Sequence, residues 1–131
     1  MKIVLASKSG VRKDILDRYG VKSIVAPSNV DEDQVKESLI AEKATPEIIS
    51  KSYAKTHDLF ASFWAENYKI FDCVLCLGDR FEMAAAVNAG VPFNVKFAHI
   101  HSGETTLGAI DNIYRHQITL ASKFHFTSNP F

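Results

Sequence analysis

The sequence has no excess of either charge. Lysine and arginine together number 15, as do aspartate and glutamate, so no global field draws the chain to nucleic acid or to an anionic membrane. Any anion site has to be local. Long apolar runs are missing as well. The chain opens with one lysine followed by four apolar residues, Ile3 to Ala6, too few for a secretory signal, and no stretch approaches the roughly 18 apolar residues of a membrane span. A cytoplasmic location is the expectation. Sulfur is scarce: Cys73 and Cys76 spell C-x-x-C inside a strand-like run. Residues three apart on a strand point to opposite faces, which argues against a redox pair or a metal clip and for two core thiols. A chain of 131 residues can bury roughly two-thirds of its unfolded surface, enough for one core, so one domain is expected.

What is present alternates between strand and helix signals. Lys2 to Ala6 is a short apolar run, followed by a Ser-Lys-Ser-Gly turn and a helical stretch from Val11 to Tyr19 that Gly20 closes. Ser23 to Ala26 reads as a brief strand, Pro27 to Asn29 as a turn, and Asp31 as the N-cap of a polar helix reaching Lys43. Thr45, Pro46 and Glu47 supply an N-cap, a proline at the first helical position and an acid in the first turn. The helix they start runs to about Tyr68, with Ile49, Tyr53, Phe60 and Phe63 on one stripe and Trp64 beside it, a pattern that buries one face against a sheet.

Phe71 to Leu77 is apolar except for Asp72 and lacks the alternation of a half-wet strand, so it reads as a central parallel strand covered on both faces. Glu82 to Ala89 is Ala-rich and helical with Gly90 as its cap, Val95 to Ile100 is a strand, Ile110 to Ser122 an amphipathic helix, and Phe124 to Phe126 a last strand. The order implies an α/β fold: a Rossmann-like three-layer sandwich with a mainly parallel sheet, whose ligands bind at the carboxyl ends of the strands.

Chemistry-bearing residues fall at those ends. Gly78, Asp79 and Arg80 follow the strand ending at Leu77. Asp79 is either a working group at the sheet edge or the N-cap of the next helix. His99 and His101, two apart, project to one face if both lie on the strand, and Ser102, Gly103 and Glu104 occupy its exit. Two imidazoles and one acid lack a convincing fourth ligand, so no metal is assigned; proton transfer or sugar-hydroxyl recognition suits them equally. Asp111 opens the helix carrying Arg115 and His116, and its spacing to Arg115 also fits an ordinary ion pair within the helix.

The stretches LGDRFEMAAAV, AHIHSGETTLGAIDNIYRH and ASKFHFTS resemble the amino-terminal domain of UDP-N-acetylglucosamine 2-epimerases, nearest to the hydrolysing branch. The likeness covers about residues 53 to 131. It implies half of a glycosyltransferase-B-like fold, a sugar nucleotide as ligand, no cofactor, elimination of UDP to an unsaturated glycal, and addition of water to give an N-acetylmannosamine-type product. It further implies catalytic roles among Asp79, His101, Glu104 and Asp111, and substrate contacts from Arg80, Glu82, His99, Arg115 and His116. His101 stands where many relatives have glutamate, and Ser102 replaces a familiar glycine, so the base stays open among His101, Glu104 and Asp111.

The opening LASKSGVRKDIL and APSNVDED instead resemble the start of Maf-type nucleoside-triphosphate pyrophosphatases. That likeness implies a phosphate site from Ser7, Ser9, Arg12, Lys13 and Glu32, served by Mg2+ or Mn2+. It stops near residue 54, which suggests a single domain joining a Maf-like segment 1–54 to an epimerase-like segment 55–131. Composition agrees: residues 1 to 58 hold 19 of the 30 charged side chains, and four of the five histidines come later. Three readings remain: an incomplete epimerase-like protein binding a sugar nucleotide, a Maf-like pyrophosphatase, and a non-catalytic α/β hybrid. An unfinished sheet edge would call for a partner, a second copy of the chain included.

Overall fold

The computed structural model describes residues 3–5, 10–25 and 45–128. Strand β1 (Ile3–Leu5) leads to helix α1 (Gly10–Arg18) and strand β2 (Ser23–Val25); helix α2 (Pro46–Asn67) leads to β3 (Cys73–Leu77). Helix α3 (Phe81–Gly90), a 3-10 turn (Val91–Phe93), β4 (Phe97–Ile100), α4 (Asp111–Ala121) and β5 (Ser122–Phe126) complete the order. The helix expected over residues 31–43 lies outside the described residues.

All strand pairs are parallel, in the order β2-β1-β3-β4-β5. The strands before and after residue 54 therefore share one sheet. The chain moves outward from β1 to β2, then returns across β1 to β3, so the carboxyl ends of β1 and β3 form the switch point where such sheets bind ligands. Right-handed crossovers put α1 on one side of the sheet and the remaining helices on the other. The second layer is continuous, with α2 packed on α3 and α3 on α4.

The start of α2 follows its sequence. The Thr45 hydroxyl accepts the Ile48 N–H at 3.3 Å, Pro46 occupies the first turn, and Lys51 reaches back to Glu47 at 2.6 Å. Trp64 from this helix meets Val74 and Cys76 of β3, Ala84 and Val87 of α3, Phe97 of β4 and Ile118 of α4 in one buried cluster. Its indole N–H donates to the Ala86 carbonyl at 2.9 Å, which satisfies the ring's only polar atom. Gly90 lets the layers close: a Cβ there would lie 2.6 Å from Phe97 Cζ and 3.1 Å from Trp64 Nε1.

Among the described residues the two faces of the central strand are unequally covered. Val74 and Cys76 are buried under the helices, whereas Leu77 on the opposite face is 38% exposed. The register carries that face outward: Leu75 lies beside Ala98 and Phe124, and Leu77 beside Ile100 and Phe126. Phe124 and Phe126 are 46% and 55% exposed. A run of apolar letters fits a half-covered strand as well as a fully covered one, because water contact is decided by what packs above it. Cys73 and Cys76 are free thiols on opposite faces, and burial pushes the Cys76 thiol up to about 12. Among the described residues no helix is long and apolar enough to cross a membrane.

Candidate functional site

A cavity of about 500 Å³ opens at the switch point, its wall mostly apolar side chains of α1, α2 and β3, with Arg12 of α1, the exit residues Gly78, Asp79 and Arg80, and Glu82 of α3 as its polar part; His101, Glu104, Asp111, Arg115 and His116 do not line it. Gly78 has φ of +110°, a conformation that suits glycine and turns β3 sharply into the Asp79-Arg80 pair. Asp79 is not the N-cap. Arg80 holds that position, and no side chain caps the first turn of α3, which leaves the positive end of that helix facing the crevice.

Asp79 instead accepts a charged hydrogen bond from Nη2 of Arg115 on α4. Arg115 is buried and Asp79 partly so, and a buried guanidinium needs such a partner because desolvating an unpaired charge costs several kcal/mol. The ordinary pair between Asp111 and Arg115 does not form in its place. Asp111 begins α4 one turn before Arg115, so the Asp79 pair brings the exit of β3 against the helix face that bears Asp111. Two buried polar atoms here have no protein partner, Arg115 Nε and Glu82 Oε2. Glu82 Oε1 lies 3.5 Å from Arg80.

The β4 exit departs from the strand geometry expected of it. His101 lies beyond β4 with φ of +63°, so His99 and His101 do not share a face. His101 is exposed, and its Nδ1 bonds the Glu104 carboxylate at 2.9 and 3.1 Å; since an ionised carboxylate only accepts, Nδ1 carries the proton. Glu104 also accepts the Ser128 N–H at 3.3 Å. The bond with Ser128, followed by that with His101, holds its carboxyl below the usual glutamate range. The left-handed backbone at His101 puts the imidazole over the exit loop, a turn that strand periodicity does not foresee.

His99 has no exposed surface. Its Nε2 meets the Gly78 carbonyl at 2.9 Å and its Nδ1 the Thr119 hydroxyl at 3.1 Å. Both nitrogens are thus engaged within the protein, and the ring stands behind the crevice rather than on its wall. Burial first, with the charges of Arg115 and His125 adding to it, lowers its pKa despite the Gly78 bond and Asp79. Residues not foreseen from sequence complete this layer: Thr119, and His125, whose Nδ1 lies 2.9 Å from Ser102 Oγ. The spacing of Asp111, Arg115 and Thr119, four residues each, is the signal that places all three on one helix face.

His116 is exposed on α4. Of the phosphate-site candidates, Ser7, Ser9 and Glu32 lie outside the described residues. Arg12 reaches the crevice, and Lys13 pairs with Asp17 at 2.7 Å. Among the described residues no three His, Cys, Asp or Glu side chains gather as a metal site.

Residues 33–130 match the family model described as UDP-N-acetylglucosamine 2-epimerase. The chain belongs to that family. The match starts ahead of residue 53, where the likeness in the motifs begins. The fold agrees with the crystal structure of UDP-GlcNAc 2-epimerase from Neisseria meningitidis bound to UDP-GlcNAc: the TM-score is 0.63 at 15% identity, over 97% of this chain and 40% of that one. A UDP-N,N'-diacetylbacillosamine 2-epimerase (hydrolyzing) of Legionella pneumophila is 44% identical over 57 residues, 44% of this chain and 15% of that protein. A nucleoside triphosphate pyrophosphatase of Pelagibacter ubique is 63% identical over 54 residues, 41% of this chain and 28% of its own length. The chain thus spans well under half of each of these relatives.

Proposed function

We propose that the crevice at the ends of β1 and β3 binds a UDP-linked N-acetyl sugar, and that this chain carries the amino-terminal half of a hydrolysing 2-epimerase site. The observation that carries the reading is the pairing of Asp79 with Arg115, which joins the exit of β3 to the helix bearing Asp111. Asp79 lines the crevice, and the reading places Asp111 and the His101-Glu104 pair of the neighbouring strand exit at its rim.

The reaction class makes sense of these groups. The C2 proton of such a sugar is weakly acidic, so a positioned base has to remove it while the departing diphosphate is stabilised. Asp79, His101, Glu104 and Asp111 are the candidates for moving protons. Arg80 and the uncapped start of α3 suit the diphosphate charge, since amide N–H groups and a cation stand at one rim. Glu82, with one buried oxygen unpartnered, is placed to accept from a sugar hydroxyl. Release of UDP and addition of water to the resulting glycal would complete the hydrolysing route.

Calorimetric titration of the chain with UDP-GlcNAc, UDP and a nucleoside triphosphate tests the reading. UDP-GlcNAc and UDP should bind and the triphosphate should show no preference, with Asp79→Asn weakening UDP-GlcNAc more than UDP. Absence of UDP-GlcNAc binding, or equal binding by the Asp79→Asn variant, overturns it.

A further inference from the structure

His99, Thr119, Ser102 and His125 form a hydrogen-bonded chain running from the Gly78 carbonyl to the surface of β5. Its contacts are 2.9 Å from Gly78 O to His99 Nε2, 3.1 Å from His99 Nδ1 to Thr119 Oγ1, 3.3 Å from Thr119 Oγ1 to Ser102 Oγ, and 2.9 Å from Ser102 Oγ to His125 Nδ1. The Gly103 N–H adds a fifth contact, to Thr119 Oγ1 at 3.2 Å.

With His99 neutral, the form that its complete burial favours, only one arrangement of protons satisfies all five. A carbonyl cannot donate, so Nε2 of His99 carries a hydrogen for Gly78. In the neutral ring Nδ1 is then an acceptor and takes the single Thr119 hydroxyl hydrogen. The Thr119 oxygen, its hydrogen used, accepts from Ser102 and from the Gly103 N–H. Ser102 has spent its own hydrogen on Thr119, so it accepts from His125, whose Nδ1 must be protonated. Reversing Ser102 would set its lone pairs against those of Thr119. The two histidines therefore hold opposite tautomers: Nε2–H at His99 and Nδ1–H at His125.

We propose that His99 is a positioning residue for Asp79, locked in its tautomer by the Thr119-Ser102-His125 chain. The Gly78 carbonyl and the Asp79 N–H belong to one peptide plane, so the bond from His99 fixes the plane from which Asp79 departs. Gly78, with φ of +110°, has no side chain to hold that plane itself. Arg115 holds the other end of Asp79. Arg115 and Thr119 are one turn apart on α4, so one helix face sets both the backbone and the carboxylate of Asp79. The charged or titratable groups around the ring are Asp79 on the β3 exit, Arg115 on α4 and His125 on β5. The bearing of this on a sugar nucleotide rests on the function proposed above; the positioning itself rests on the geometry alone.

Nitrogen-15 NMR of histidine-labelled chain tests it directly. At pH 7 His99 should show a protonated Nε2 and a bare Nδ1, and His125 the reverse. Thr119→Val, which keeps the side-chain shape and removes the hydroxyl, should mix the His99 tautomers, shift the Asp79 amide resonance, and weaken UDP-GlcNAc binding about tenfold, the size of one lost hydrogen bond. Thr119→Ser should restore all three. A charged His99, or His99 in the Nδ1–H form, in the unsubstituted chain overturns the proposal without any variant. So does a folded Thr119→Val chain whose Asp79 amide and UDP-GlcNAc affinity are unchanged. If the unsubstituted chain binds no UDP-GlcNAc, the functional reading fails, and the tautomers and the Asp79 amide still decide the positioning.

Discussion

Arg115 and Asp79 stand 36 positions apart in the chain and form one ion pair, with the guanidinium buried beneath a carboxylate that borders the crevice. Removing one partner strands the other. Arg115→Met should destabilise the fold by about 2–4 kcal/mol, toward the lower end of the range for broken buried pairs because Asp79 keeps some water contact. Asp79→Asn with Arg115→Met should cost less than the two single variants summed, by at least about 1 kcal/mol in a denaturant-melt cycle. Strict additivity would show that the pair contributes no coupling.

The close approach at Gly90 sets a second expectation. Gly90→Ala should lower stability by about 1–3 kcal/mol through overpacking against Phe97 and Trp64. The penalty should shrink in a Phe97→Leu background, where the conflicting ring atom is gone. A thermal melt of the four chains checks it, and an equal loss in both backgrounds would dissociate the effect from Phe97.

Stability should also depend on pH through His99. Its folded pKa lies below the ordinary 6.5, so the unfolded chain binds a proton that the native ring refuses. The resulting contribution is complete above about 6.5 and declines as pH falls from there toward the lower folded value. Denaturant midpoints measured between pH 7.5 and 5 should fall with acidity, and His99→Gln should flatten that slope. Glu104 acts in a separate, more acidic window: its lowered pKa withdraws its contribution only as pH drops below the usual 4.5.

At His101 the backbone is left-handed, which costs a non-glycine residue about 1–2 kcal/mol. His101→Gly relieves that strain and loses the bond to Glu104, so global stability should change by less than about 1 kcal/mol. On the function proposed above, UDP release from UDP-GlcNAc should drop sharply. A large loss of stability would place the His101-Glu104 pair among the supports of the fold instead.

Much of the frame was readable from local chemistry. The Thr45-Pro46-Glu47 start of α2, the glycine after Leu77 and the alternation of apolar runs with amphipathic stretches each obey rules confined to a few neighbouring residues. The placement of Asp79 at a sheet edge was legible because the glycine after Leu77 ends the strand there. The identity of the Arg115 partner was not, since Asp111 sits at ideal spacing and tertiary packing chose Asp79. His99 and His101 illustrate the same limit. A period of two holds only while the strand lasts, and β4 ends at Ile100. The open face of Leu77 and Phe126 was hidden for another reason, because apolar letters record what a residue can bury and not what lies over it.

Trp64 is the only tryptophan in the chain, and its indole is sealed between helix and sheet with its N–H tied to Ala86. The molecule thus carries a built-in optical reporter at the centre of its packing. Emission should be blue-shifted in the native state and move to the red as solvent enters, so loosening of the interior can be followed without any attached dye. No second indole contributes a background to that signal.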